Sequence, residues 1–179
     1  MQILHHGAVN GVTGSCHELI INKQTSVLVD CGLFQGEDSK ADLSIEFDIT
    51  HVTALIVTHC HIDHVGRIPY LLAAGFKGPI FTSIASASLL PLVIEDALKV
   101  GVTRDLKIIA ACLSLLNKRI VAVDYKTWFE LPCKGLNKAK ARFQRAGHIL
   151  GSAYVEIDIT NSNNNKHRVV FSGDLGAPY

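Results

Sequence analysis

Residues 58–64 read Thr-His-Cys-His-Ile-Asp-His and follow directly on an apolar run, Ala-Leu-Ile-Val at 54–57. The apolar run predicts a strand covered on both faces, because side chains of both parities are apolar. Side chains two residues apart in extended chain project to the same side, so His59 and His61 can bind one metal ion. A turn at Asp63 and His64 would direct that pair at a second ion. Four potential ligands at the end of a buried strand therefore predict a metal site.

Two later positions could complete this site. His148 has glycines nearby on both sides in Ala-Gly-His-Ile-Leu-Gly-Ser-Ala at 146–153, and Asp174 follows an apolar strand in Phe-Ser-Gly-Asp-Leu-Gly at 171–176. They offer a third nitrogen and a carboxylate able to bridge two ions about 3.5–4 Å apart. Nitrogen and carboxylate ligands suit Zn²⁺, whereas a more oxygen-rich coordination would suit Mn²⁺ or Fe.

The composition excludes several classes of protein. The chain has 179 residues, a net charge of +1 and 48% hydrophobic residues, which is typical of one globular domain with a buried core. No apolar run approaches the roughly 18 residues of a membrane span, and the start shows no signal peptide, so we expect a cytoplasmic protein without membrane contact. Without a Gly-x-Gly-x-x-Gly or Walker loop, nucleotide-cofactor classes lose support. The five cysteines form no Cys-x-x-Cys pair and are predicted to be buried thiols.

Hydrophobic periodicity predicts strands on either side of a helical middle. The predicted helices cover 65–74, 86–100 and 104–117. The predicted strands cover 2–6, 17–21, 26–29, 54–58, 79–82, 120–123, 129–131, 139–145, 153–160 and 168–172. Helices long enough to cover sheet faces indicate a layered α/β or α+β architecture.

The motif at 58–64, followed by a distant His and by an Asp after a strand, resembles that of the metallo-β-lactamase fold superfamily. Val-Thr-Gly-Ser-Cys at 12–16 and Asp-Cys-Gly-Leu-Phe-Gln-Gly at 30–36, with 147–153 and 171–176, look like the β-CASP branch. That branch includes ribonuclease J and the endonuclease subunit of the cleavage and polyadenylation machinery. The resemblance implies an αββα sandwich, incomplete at its C-terminal end. Residues 1–179 would be its N-terminal portion, with the β-CASP cap and the closing strand and helix absent.

The resemblance also implies a role for individual residues. The first ion would be held by His59, His61 and His148, and the second by Asp63 and His64. Asp174 would bridge the two ions, and Asp30 would orient the ligands through hydrogen bonds. The remaining histidines lie outside the ligand positions of the superfamily and are set aside, namely His5, His6, His17, His51 and His167.

Two cations in such a site favour hydrolysis of a phosphodiester, with Asp63 and His64 as catalytic residues and Asp63 as the orienting base. The resemblance therefore implies a ribonuclease with two zinc ions, acting on RNA or alternatively on single-stranded DNA, as an endonuclease or an exonuclease. Because the final histidine ligand of the family has no counterpart, we expect the chain alone to be weak or inactive. Two alternatives stay open: a thioesterase or lactonase of the same fold, and a non-catalytic metal-binding module.

Residues 134–145 contain five cations and no acids. Strand parity places Lys138, Lys140 and Arg142 on one face, where they could contact a phosphate backbone in a salt-sensitive manner, although a solvated strand face is the simpler interpretation. An unfinished sheet would expose an edge, which leaves room for a homodimer.

Overall fold

The computed structural model describes residues 1–36 and 42–177. Within these ranges the predicted elements are confirmed except for the helix over 65–74, and many of their ends are shifted by one or two residues. The strands are β1 (Gln2–His5), β2 (His17–Asn22), β3 (Thr25–Val29), β4 (Val52–Ile56), β5 (Ile80–Ser83), β6 (Ile120–Val123), β7 (Phe129–Leu131), β8 (Lys138–Arg145), β9 (Ala153–Thr160) and β10 (Lys166–Phe171). The helices are α1 (Ile62–Val65), α2 (Ile68–Ala73), α3 (Ile84–Gly101) and α4 (Leu106–Asn117).

The strands form two sheets. The first sheet has the order β1-β2-β3-β4-β5-β6, and the second has the order β10-β9-β8-β7. From β3 to β6 neighbouring strands are parallel, whereas the second sheet is antiparallel throughout. Parallel strands end at the same edge, so the residues that follow β3, β4, β5 and β6 are brought to one side of the molecule, where α/β proteins place their sites.

The first sheet is covered on both faces, as its apolar strands predict. In β3, Leu28 packs towards the helices, whereas Val27 and Val29 pack towards the second sheet. The helical side is completed by Leu71, Leu90, Ile94, Ile109 and Leu116. The opposite side is completed by alternate residues of the second sheet, namely Ala141, Phe143, Val155, Ile157 and Ile159. The described residues therefore form three layers, helices on sheet on sheet, which confirms the predicted α/β architecture.

The single helix predicted over 65–74 is in fact two short helices. Gly66 and Arg67 separate α1 from α2, and the backbone N–H of Arg67 donates to the carbonyl of Cys31 rather than within a helix. The buried guanidinium of Arg67 also donates from Nε to the carbonyl of Gly32 at 2.9 Å. A contact with the loop after β3 thus overrides the helical periodicity. Among the described residues, no helix combines the length and apolarity needed to cross a membrane.

All five cysteines are free thiols, but the prediction that they are buried is wrong for Cys112 and Cys133, which are only partly buried. Cys16, Cys31 and Cys60 are buried in the core between the first sheet and the helices. Burial raises the pKa of Cys60 to about 11, so this thiol stays protonated at neutral pH beside the histidine motif.

Candidate metal centre

Three histidine side chains converge where β4 and β8 end. His59 and His61 lie three and five residues beyond the end of β4, and His59 Nε2 is 3.1 Å from His61 Nδ1. His148 comes from the loop between β8 and β9, and its Nε2 is 3.2 Å from the same nitrogen of His61. The structure therefore brings together three residues that the sequence separates by up to 89 positions.

Asp174 adds a carboxylate to these nitrogens. It lies three residues after β10, and its Oδ2 is 3.5 Å from His148 Nε2 and 3.8 Å from His59 Nε2. One ligand atom from each of His59, His61, His148 and Asp174 lies within 4.8 Å of the others. The other carboxylate oxygen of Asp174, Oδ1, is 3.4 Å from His64 Nε2. The carboxylate therefore faces the predicted ligands of the first ion and His64, a predicted ligand of the second.

The loop 146–152 fixes His148 through its backbone. The hydroxyl of Ser152 accepts hydrogen bonds from the backbone N–H of His148 at 3.0 Å and of Ile149 at 3.2 Å. The carbonyl of Gly151 accepts from the hydroxyls of Ser83 and Ser86, which begin α3. The sequence indicated the glycines of this loop but not its contacts with Ser83 and Ser86, because those serines lie more than sixty residues from Gly151.

Asp30 is buried behind the histidine motif and orients it. The side chain accepts hydrogen bonds from the backbone N–H and the hydroxyl of Thr58, both at 2.8 Å. Its Oδ2 is 2.7 Å from His64 Nδ1. Asp30 also has a positive φ of 61°, a conformation that Asp and Asn tolerate better than most residues. The structure thus places Asp30 in contact with His64, and its role in orienting metal ligands stays a prediction.

Burial and charge act differently on two of the histidines. Burial, reinforced by the charge of His64, lowers the pKa of His59 to about 4, so its imidazole is neutral at pH 7. Burial alone would also lower the pKa of His64, but the hydrogen bond and charge of Asp30, with the charges of Asp174 and Asp63, outweigh burial and raise that pKa.

His64 provides a test of whether the site suits a metal ion. Its Nδ1 is held by Asp30, and its buried Nε2 has no hydrogen-bond partner among the described residues. In the neutral ring this nitrogen carries a lone pair, and it faces the carboxylate oxygen of Asp174. These two acceptors are 3.4 Å apart, a separation suited to a shared proton on the imidazole or to a metal cation between them. Imidazole nitrogens and a shared carboxylate are ligands that zinc accepts, so the donor set fits a divalent cation.

Asp63 lies at the edge of the candidate metal centre. It lies in the first turn of α1 rather than in the predicted turn, and its Oδ2 is 4.0 Å from His64 Nε2. The predicted turn at Asp63 and His64 is therefore wrong, because both residues lie in a helix. Asp63 is outside the four-residue group but on the side of His64.

Two histidines that sequence reasoning set aside lie close to the site. His5 and His17 line a cavity of about 350 Å³ whose wall also includes His64 and Asp174. Their Nδ1 atoms are 2.8 Å apart, and the ring of His17 stacks on Phe171. Only the pairing of β1 with β2, which sets His5 opposite His17, brings them together.

The predicted nucleic-acid contacts lie on the outer face of the second sheet. Arg142 is ion-paired with Glu156, and Lys140 and Arg142 both lie 4.6 Å from the centroid of the Trp128 ring. Lys138, at the start of β8, is exposed. The positive charge of this face is thus partly offset by β9, and contact of Lys138, Lys140 and Arg142 with nucleic acid stays a prediction.

The sequence and fold of this chain were compared with those of known proteins. Residues 14–94 match the Metallo-beta-lactamase superfamily. This match confirms the resemblance to the metallo-β-lactamase superfamily over residues 14–94. Its fold is similar to that of a solved B3 metallo-beta-lactamase with an active-site glutamic acid, with a TM-score of 0.52 and 17% identity over 90% of this chain and 57% of that one.

Relatives of this chain include proteins whose names refer to RNA cleavage. The chain is 36% identical over 179 residues to a protein named ribonuclease TTHA0252 from Thermus thermophilus, covering 98% of this chain and 38% of that protein. It is 30% identical over 184 residues to cleavage and polyadenylation specificity factor subunit 3-II from Arabidopsis thaliana, covering 94% of this chain and 28% of that protein. The resemblance to the β-CASP branch is confirmed, and the chain spans less than two fifths of either relative.

Proposed function

We propose that this domain is a metal-dependent hydrolase that cleaves the phosphodiester bonds of RNA at a site for two zinc ions. The observation that carries the proposal is the position of Asp174, whose two oxygens face His59 and His148 on one side and His64 on the other. A carboxylate between two groups of imidazoles is suited to bridging two cations. The names of the relatives support RNA as the substrate class.

Each residue then has a role that follows from its contacts. His59, His61 and His148 would hold one ion, His64 and Asp63 would hold the other, and Asp174 would bridge them. Divalent cations held there lower the pKa of water and neutralise charge that develops on a phosphoryl oxygen. Asp63, whose carboxylate faces the His64 side, would orient the attacking water by accepting its proton. Asp30 fixes the ring of His64 through Nδ1, which leaves Nε2 directed at the site.

The experiment that tests this proposal begins with elemental analysis of the purified chain. We expect about two zinc ions per polypeptide after dialysis, because two groups of ligands share one carboxylate. His148→Ala should lower the zinc content sharply, whereas His167→Ala, which removes an exposed histidine on β10, should not. Equal zinc contents in the two variants would contradict the proposed ligand set.

The zinc-loaded chain is then offered single-stranded RNA, single-stranded DNA and a thioester. Zinc-dependent cleavage of RNA that is lost in His148→Ala supports the proposal. Hydrolysis of the thioester alone would instead assign the site to the thioesterase or lactonase alternative. Because the chain spans only part of its relatives, metal content is measured first, since the described residues alone should supply the ligands.

A further inference from the structure

A cavity of about 560 Å³ adjoins the candidate metal centre at the same edge of the first sheet. One wall is formed by the loop 146–152, which carries His148. The lining also includes the beginning of α3 and the chain that leaves β6 at Asp124 and Tyr125. A molecule in this cavity would therefore contact the loop that carries the proposed ligand His148.

The walls of this cavity are mainly apolar. Ile84 at the start of α3 has 51% of its surface exposed, and Leu150 in the loop has 71% exposed. Val123 and Ile149 extend the apolar lining. Apolar side chains that flank a cavity and remain open to water are suited to holding a flat apolar group between them.

The polar groups of the cavity have a specific arrangement. The guanidinium of Arg145 lies 5.2 Å from the centroid of the Tyr125 ring, and the Tyr125 hydroxyl donates to the carbonyl of Ser152 at 2.9 Å. The ring is thereby fixed, and the guanidinium above it is a planar group on which a base can stack. Asp124 also lines the cavity and is exposed, and a carboxylate at this position could accept a hydrogen bond from an amino group at the edge of a base.

We propose that this cavity binds one nucleobase of a single-stranded RNA whose phosphodiester lies at the metal centre, and that Asp124 favours bases with an exocyclic amino group. The inference rests on the proposed function and adds a specificity site to it. The apolar side chains of the cavity would contact the faces of the base, on which Arg145 and Tyr125 could also stack. Asp124 would accept a hydrogen bond from the amino group at the edge of the base. Adenine, cytosine and guanine carry an exocyclic amino group, whereas uracil does not.

The test titrates nucleoside 5′-monophosphates and ribose 5-phosphate into the zinc-loaded chain and follows the backbone amides by NMR. Because a base stacks on aromatic and guanidinium groups, AMP, CMP and GMP should bind about tenfold more tightly than ribose 5-phosphate. UMP should bind less tightly than these three. The amides of Tyr125 and Leu150 should shift with the nucleotides and not with ribose 5-phosphate.

The matched variants remove a carboxylate inside and outside the cavity. Asp124→Ala should abolish the difference between CMP and UMP and leave binding of ribose 5-phosphate unchanged. Asp96→Ala, which removes an exposed carboxylate on α3, should change neither. Tyr125→Leu should weaken all four nucleotides to the level of ribose 5-phosphate.

The outcomes separate this inference from the proposed function. If ribose 5-phosphate binds as tightly as the nucleotides while zinc-dependent RNA cleavage persists, the base site is wrong and the function stands. If nucleosides without phosphate shift Tyr125 and Leu150, the base site stands even where zinc has no effect on RNA. Equal binding of CMP and UMP to the unsubstituted chain would overturn the role of Asp124.

Discussion

At the scale of single residues, Asp30 contacts the histidine motif through several buried hydrogen bonds without being a proposed ligand. One buried carboxylate accepts from the backbone and the hydroxyl of Thr58 and holds His64. Thr58 in turn contacts the next residue, because its hydroxyl is 3.1 Å from His59 Nδ1. Because all these groups are buried, removing the acceptor leaves several donors without a partner.

Asp30→Ala should therefore lower the free energy of unfolding by about 3 kcal/mol, as measured by urea denaturation, because buried donors lose their acceptor and alanine is strained at positive φ. Zinc affinity should fall by roughly 10–100-fold, as is typical when a residue that orients a ligand is lost. Asp30→Asn should cost less stability, because asparagine tolerates positive φ and keeps one acceptor.

The control for this prediction is Asp158→Ala. Asp158 is ion-paired with Arg168 on the outer face of the second sheet, where both side chains are partly exposed. Exposed pairs contribute about 0–1 kcal/mol, so this variant should be nearly neutral. Similar losses in the two alanine variants would contradict the role given to Asp30.

At the scale of elements, the loop 146–152 is joined to the beginning of α3. Gly151 has a φ of +85°, and a Cβ atom there would lie 2.5 Å from the Ser86 hydroxyl and 2.7 Å from its backbone nitrogen. The carbonyl of Gly151 also accepts from Ser83 and Ser86. The helix therefore sets the position of the loop, and the loop sets the position of His148.

Gly151→Ala should displace this loop and weaken zinc binding, with a loss of unfolding free energy of about 2–4 kcal/mol from backbone strain and overpacking together. Gly135→Ala is the matched control, because Gly135 also has a positive φ, +82°, but a Cβ atom there meets nothing within 4 Å. The control should show only the backbone cost of about 1 kcal/mol and unchanged zinc affinity. Calorimetric zinc titration of both variants checks this, and equal affinities would refute the coupling.

The elements themselves were largely predictable from the sequence, because strands such as β4 are short apolar runs bounded by polar residues. The helix predicted over 65–74 was wrong, since the hydrogen bond of Arg67 to Cys31 is a tertiary contact without periodicity. The positions of His59, His61, His148 and Asp174 could be named, but not their distances, which depend on how the two sheets pack. Ser83, Ser86 and Tyr125 carry no local pattern that indicates their contacts with the loop 146–152.

At the scale of the whole molecule, the proposed ligands come from both sheets. His59 and His61 follow β4 of the first sheet, whereas His148 and Asp174 follow β8 and β10 of the second. The sheets also meet here through the backbone, because Ala153 donates to the carbonyl of Thr58 at 2.9 Å. A cation held by these side chains would therefore connect the two layers of the sandwich.

Zinc should accordingly stabilise the folded chain. At a free zinc concentration about 100-fold above the dissociation constant, the gain is about 2.7 kcal/mol, which corresponds to a rise in Tm of roughly 5–10 °C for a domain of this size. Differential scanning calorimetry with zinc and with a chelator measures this shift. His148→Ala should lose most of it, His167→Ala should keep it, and an unchanged Tm on chelation would argue against the site.

The distribution of these ligands along the chain also orders events during synthesis on the ribosome. When residues 58–64 emerge, the nascent chain has His59 and His61, but His148 appears only after 84 further residues have been added, and Asp174 after 110. The second sheet that carries the last two ligands must be made and docked before the donor set is complete. On the proposed function, metal loading would therefore follow assembly of both sheets, and a chain made without zinc would be folded but would lack its cation.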